Sequence, residues 1–121
     1  MSSVVIFFQV MIALGIVNVW FFRPSRATAW RGGDATSMRE EFQAYGLPTW
    51  FMYTIGALKV SFASLLIAGI WIPGIAFYGA LGLVALMTGA VAMHLKIRDP
   101  LLKSLPAISM LAMSIVVASF G

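Results

Sequence analysis

WFMYTIGALKVSFASLLIAGIWI, residues 50–72, carries one charged side chain, Lys59, inside an otherwise membrane-compatible run. About 20 such residues in a helix rise far enough to cross the ~30 Å hydrocarbon core of a bilayer. An ammonium near the centre of such a helix costs about 2.5–3.5 kcal/mol on insertion scales unless it snorkels or meets a partner. The stretch therefore predicts a transmembrane helix over 50–72, with one residue inside it that the bilayer does not tolerate by default.

On its C-terminal side Pro73-Gly74 predicts a tight hairpin, followed by a third span over about 75–97. Gly82, Ala85, Gly89 and Ala92 fall along one face of that span, a small-residue pattern that lets two helices approach closely. Lys96, Arg98 and Asp99 close it at headgroup level, and Pro100 ends it. A fourth span covers about 101–120, with Pro106 near its start, where proline costs least.

On the N-terminal side the first span covers about 4–22, VVIFFQVMIALGIVNVWFF, with Trp20 placed as an interfacial aromatic and Gln9 and Asn18 as its polar members. The opening MSSVVIFFQ has no basic n-region and no small-residue cleavage pattern, so it reads as a retained helix. Between the first two spans, residues 23–49 change composition abruptly, holding four arginines and three of the four acids. Arg31-Gly32-Gly33-Asp34 reads as a turn. Ser37 followed by Glu40 is a capping box, and Met38, Phe42 and Tyr45 recur at helical spacing. Gly46 supplies a left-handed stop and Pro48 prevents resumption. These signals predict a short amphipathic helix over about 38–45, lying on the bilayer surface or capping the bundle.

The composition agrees with this reading. The 121 residues are 61% hydrophobic and 10% charged, with mean hydropathy +0.97, more apolar than a soluble domain of that length. The fold class predicted is an all-α membrane protein: one domain, a four-transmembrane-helix bundle with a short amphipathic helix between spans 1 and 2. The net charge of +4 reports membrane orientation here, and with no basic helix or aromatic-basic module the chain has no nucleic-acid partner. The absence of cysteine excludes a disulfide framework and a thiol relay, and a lone histidine excludes a multi-histidine metal or haem site within one chain. No metal and no intrinsic cofactor is expected.

Four spans place the 23–49 loop and the 96–103 corner on one side of the membrane, with both termini and the Pro73-Gly74 turn on the other. Seven of the eight Lys and Arg residues lie on the first side and none on the second, the eighth being Lys59. The positive-inside rule makes both charged connections cytoplasmic and both termini external.

Lys59 is nine residues, about 13 Å along the helix axis, from Trp50. Gly56 and Ala63 leave a small-residue surface beside it, suited to protein contact. His94 and Asn18 enter the same quarter of the bilayer from the third and first spans, and Asp99 and Glu41 are the carboxylates placed to set the charge there. A polar, ligand-binding pocket of Lys59, His94, Asn18, Asp99 and Glu41 is therefore expected, with Lys59 and His94 in one hydrogen-bonded site. The plain alternative leaves Lys59 snorkelling to phosphate and His94 among interfacial residues, each satisfied separately.

YGLP after EEF, G-x-x-K in the second span, GAVAMHLKIRDP closing the third and KSLPA opening the fourth resemble the DoxX-like family of small four-helix membrane proteins. The resemblance covers about residues 18–113, and HLKIRDP with KSLPA is its most specific part. It implies a four-helix bundle with Lys59, His94, Lys96, Asp99, Lys103 and Glu41 as the matched polar residues. Some relatives are linked to thiosulfate:quinone oxidoreduction or to membrane redox complexes; without cysteine, the thiol–quinone chemistry of other four-helix enzymes does not carry over.

Two functions compete. The first is a non-catalytic accessory or assembly subunit, docking with other membrane subunits or as a homo-oligomer through small-residue faces such as Ala57, Ser61, Ser64 and Ala68. The second is a subunit of a membrane oxidoreductase that binds a quinone or lipid, with Lys59 and His94 donating to its headgroup. A transporter is disfavoured, because four spans without a broken-helix repeat leave little machinery for alternating access.

Overall fold

The computed structural model describes residues 3–22, 37–72 and 74–120. Five α-helices account for most of them: α1 (Ser3–Val17), α2 (Met38–Ala44), α3 (Thr49–Ala68), α4 (Ile75–Lys96) and α5 (Leu101–Phe120). No strand occurs among the described residues. α1 with its continuation as far as Phe21, α3, α4 and α5 are each long and apolar enough to cross a membrane, as the sequence predicts. The expected turn at Arg31–Asp34 and the Pro73 half of the hairpin lie outside the described residues.

α4 packs against α5 and α3, and α1 closes the ring against α3 and α5. Sequence neighbours thus run antiparallel, the arrangement short connections favour in a four-helix bundle. Val5, Ile12 and Ile16 recur on one face of α1 and meet Leu66 of α3, Leu83 of α4 and Val117 of α5 in the core. Gln9 sits on that same face, fully buried, and donates through Nε2 to the Leu66 carbonyl at 2.7 Å. That carbonyl is free to accept because the chain tightens after α3, the Ile70 amide bonding Ile67 in place of Leu66. The same tightening ends the second span's helix at Ala68, four residues before the predicted limit. Outward-facing Phe7, Leu14, Tyr78, Leu95 and Phe120 are exposed, as a lipid-facing surface requires. Trp50 and Trp71, both exposed, stand about 32 Å apart along the helical rise, matching two interfacial belts.

The small-residue face of α4 divides into two parts. Gly79 packs so closely on α3 that a Cβ there would stand 2.7 Å from the Phe62 carbonyl oxygen, whereas one at Gly89 would meet nothing within 4 Å. The first half is a packing seam; the second borders open space.

α2 begins and ends as its sequence predicts. The Ser37 hydroxyl accepts from the Glu40 amide at 3.2 Å. Gly46, at φ +80, completes a Schellman stop in which its amide bonds Gln43 and the Leu47 amide bonds Phe42. Met38, Phe42 and Tyr45 are buried, and Met38 and Phe42 pack with Met52, Leu47, Phe51 and Trp20. The helix therefore caps the bundle, each side chain contributing about 1.5–3 kcal/mol relative to exposure.

α4 ends with the same device. The Arg98 amide bonds Leu95 and the Asp99 amide bonds His94, with Arg98 at φ +57 in the position usually held by glycine. This stop folds Asp99 back over His94.

Candidate functional site

Where α1 meets α2 and α3, the chain departs from a regular helix: Asn18–Phe22 form a π-helical turn. Its wider winding brings Trp20 onto α3 beside Gly56, where a Cβ would stand 2.5 Å from the indole. The space beside Lys59 that Gly56 clears is thus occupied by Trp20. Lys59 Nζ lies 5.6 Å from the centroid of that ring, within the range of a cation–π contact worth about 0.5–2 kcal/mol. Among the described residues, no hydrogen bond or ion pair reaches Lys59 Nζ.

Beneath α2 the four spans enclose a cavity of about 630 Å³, inside the size range of small-molecule sites. It follows α4 from His94 to Ala85, about 13 Å along the helix axis. Gly89, Ala90 and Ala107 take little volume on its walls, which is why α4 and α5 can touch and still leave a void. Met87, Met93 and Met110 supply a deformable apolar lining.

Asn18, Glu41, Lys59 and His94 all border this cavity, as does Lys103. Asp99 does not; it stands behind His94, its Oδ2 2.7 Å from the imidazole Nδ1. The other ring nitrogen, Nε2, is 3.3 Å from the Tyr45 hydroxyl, and that hydroxyl donates to Glu41 Oε1 at 2.6 Å. Both nitrogens of His94 are therefore engaged within the protein; Lys59 and His94, expected in one hydrogen-bonded site, share a cavity with no bond between them among the described residues. Lys96, expected at headgroup level, donates Nζ to the Tyr45 carbonyl at 2.9 Å and ties α4 to the end of α2.

Tyr45 is the residue that sequence reading placed on the apolar face and missed as a polar hub. Its spacing of one turn from Glu41 was the available signal, because residues four apart share a helix face. Trp20, read as an interfacial anchor, is instead the ring beside Lys59; its inward position follows from the π-helical turn, which leaves no mark in the hydrophobic pattern.

Among the described residues no group of three His, Asp or Glu side chains could hold a metal ion. The arrangement offers an apolar chamber with polar groups gathered at its α2 end. The donors uncommitted to protein there are the Lys59 ammonium and the Asn18 amide. A guest that fits has an acceptor head and an apolar body.

A family model described as the DoxX-like family matches residues 5–119. No curated protein and no solved structure matches the chain.

Proposed function

From the premise that this chain belongs to the DoxX-like family of membrane proteins, we propose that it holds an amphipathic molecule of the quinone or lipid class in the cavity beneath α2. The observation that carries this reading is Lys59: an ammonium within a span, bordering an apolar cavity, with no protein acceptor among the described residues. An ionisable group so placed is retained at a cost of several kcal/mol, and a headgroup oxygen that accepts from it offsets that cost. Asn18 is the second donor; His94, with both nitrogens occupied, positions Tyr45 and does not reach for the guest.

The test uses the full chain in nanodiscs, with Trp30, Trp50 and Trp71 replaced by phenylalanine so that Trp20 is the one indole left, and a short-tailed benzoquinone, with quenching of Trp20 fluorescence as the readout. Saturable quenching, lost in Lys59→Met and in Gly89→Leu while thermal melting is kept, supports the reading. Gly89→Leu fills the chamber from a position with no neighbours and leaves every polar group intact. Quenching that is non-saturable, or equal in all three proteins, points away from a bound guest, and a lipid recovered by extraction from the unmutated protein alone assigns the site to lipid.

An accessory or assembly role draws support from a separate surface. Ala57, Ser61 and Ser64 are exposed on α3, and both hydroxyls are returned to their own helix, Ser61 to the Ala57 carbonyl at 2.7 Å and Ser64 to Val60 at 2.9 Å. That leaves a smooth small-residue face of the kind on which another transmembrane helix packs. If it docks a subunit, Ser61→Leu releases that subunit without affecting the cavity.

A further inference from the structure

Asp99, His94, Tyr45 and Glu41 come from three segments of the chain, the corner after α4, α4 itself and α2. They are nonetheless joined end to end by hydrogen bonds of 2.7, 3.3 and 2.6 Å. The inner members are shut off from solvent, Tyr45 and His94 each being 5% exposed. Asp99 is outside the cavity, whereas His94, Tyr45 and Glu41 border it. Such a line of titratable groups exceeds what packing α2 onto α4 requires, since the Lys96 contact already ties the two helices.

With Asp99 ionised, the protons in this line can be arranged in two ways that satisfy these three bonds. In one, His94 is an imidazolium that donates Nδ1–H to the Asp99 carboxylate and Nε2–H to the Tyr45 oxygen, and the Tyr45 hydroxyl donates to an ionised Glu41. In the other, the Nε2 proton has moved to the Tyr45 oxygen and the former Tyr45 proton has moved to Glu41. His94 is then neutral, accepting from Tyr45, and Glu41 is a neutral acid donating to it. Two protons shift and no atom is gained or lost. The net charge of the four groups stays the same, while one positive charge moves from the α4 corner to the cavity wall.

We propose that Asp99, His94, Tyr45 and Glu41 form a proton relay that loads and unloads the Glu41 carboxyl at the cavity. Among the described residues, the charged groups packed around it are Lys59 on α3, Lys96 on α4 and Lys103 on α5. With Glu41 ionised, its charge balances Lys59; with Glu41 loaded, the Lys59 charge is left for whatever occupies the cavity, and the acid can pass its proton to it. Coupled groups of this kind change state together, as a set. The relay is a property of the protein's own groups and stands or falls independently of any guest.

The sequence makes the experiment clean: His94 is the only histidine, and Glu40 and Glu41 are the only glutamates. Protein labelled with ¹⁵N-histidine and ¹³C-carboxyl glutamate, in nanodiscs, gives one imidazole and two side-chain carboxyls to follow by NMR at constant pH as temperature shifts the balance of the two arrangements, which hold equal numbers of protons. The expected result is that one glutamate carboxyl changes state in the same step as Nε2. Glu41→Gln should shift the Nε2 signal between its protonated and unprotonated positions, and the same change in the Tyr45→Phe background should leave it unmoved. An equal shift in both backgrounds would reveal a through-space field and overturn the relay, as would an Nε2 signal indifferent to residue 41. Should Tyr45→Phe fail to fold, the unmutated protein decides alone: separate steps for Nε2 and both carboxyls overturn the proposal.

Discussion

Lys59 meets the aromatic face of Trp20, and the consequence is mechanical as well as electrostatic. The indole of Trp20 is held between Gly56 and the ammonium, one turn apart on α3. Gly56→Ala would push a Cβ into that ring and should destabilise the protein by about 1–3 kcal/mol, as overpacking does. Reversible unfolding in mixed micelles is the measurement. Ser114 makes the opposite case, since its hydroxyl is buried without a partner among the described residues. Ser114→Ala should be neutral or stabilise by up to about 1–3 kcal/mol in the same assay, because an unsatisfied buried group is removed. The depth of Lys59 and the convergence of Asn18 and His94 on its quarter of the bundle were legible from residue spacing alone. Which bonds His94 would form was not, because hydrogen-bond pairing depends on side-chain directions that spacing does not specify. The observed pairing predicts that Tyr45→Phe and His94→Leu couple by about 0.5–3 kcal/mol in a double-mutant cycle.

At the scale of elements, the two helix stops explain how the site is assembled. α2 ends at Gly46 and α4 at Arg98 through the same pair of backbone bonds, and each stop folds the following residue back over its helix. For α4 that residue is Asp99, whose amide bonds the His94 carbonyl and whose carboxylate bonds the His94 ring. Arg98 adopts a left-handed conformation that costs an L-residue roughly 1–2 kcal/mol. Arg98→Gly should therefore be tolerated, while Arg98→Val should lower stability by at least about 1 kcal/mol and loosen Asp99 from His94; amide exchange at Asp99 reports both. The cap of α2 was readable because serine and glutamate at that spacing act locally. Ser37→Ala should cost about 0.5–2 kcal/mol and raise exchange at Met38–Phe42 without touching the spans. The π-helical turn and the early end of α3 at Ala68 were not readable. Both go with contacts between segments, Trp20 with α3 and Gly69 with Ala76, which no single segment encodes.

For the whole molecule, the ring of antiparallel spans puts α2, the α4–α5 corner and the polar end of the cavity at one end of the bundle, with both termini at the other. Which end faces the cytoplasm is decided by charge during insertion, since short loops rich in Lys and Arg resist translocation. Seven basic residues lie in the connections at the α2 end and none at the opposite end, so we expect the α2 end to be cytoplasmic. The proton relay and the cavity mouth would then face the cytoplasm, and any proton exchanged with the guest would come from that side. Because the chain has no cysteine, a single introduced thiol is a unique label. Cysteine placed at Ser2 should react with a membrane-impermeant maleimide in intact cells, and cysteine at Ala35 should react only once the membrane is opened. Labelling of Ala35→Cys in intact cells, with Ser2→Cys protected, would invert the topology and assign the relay's protons to the external side, even though the bundle and its cavity would be unchanged.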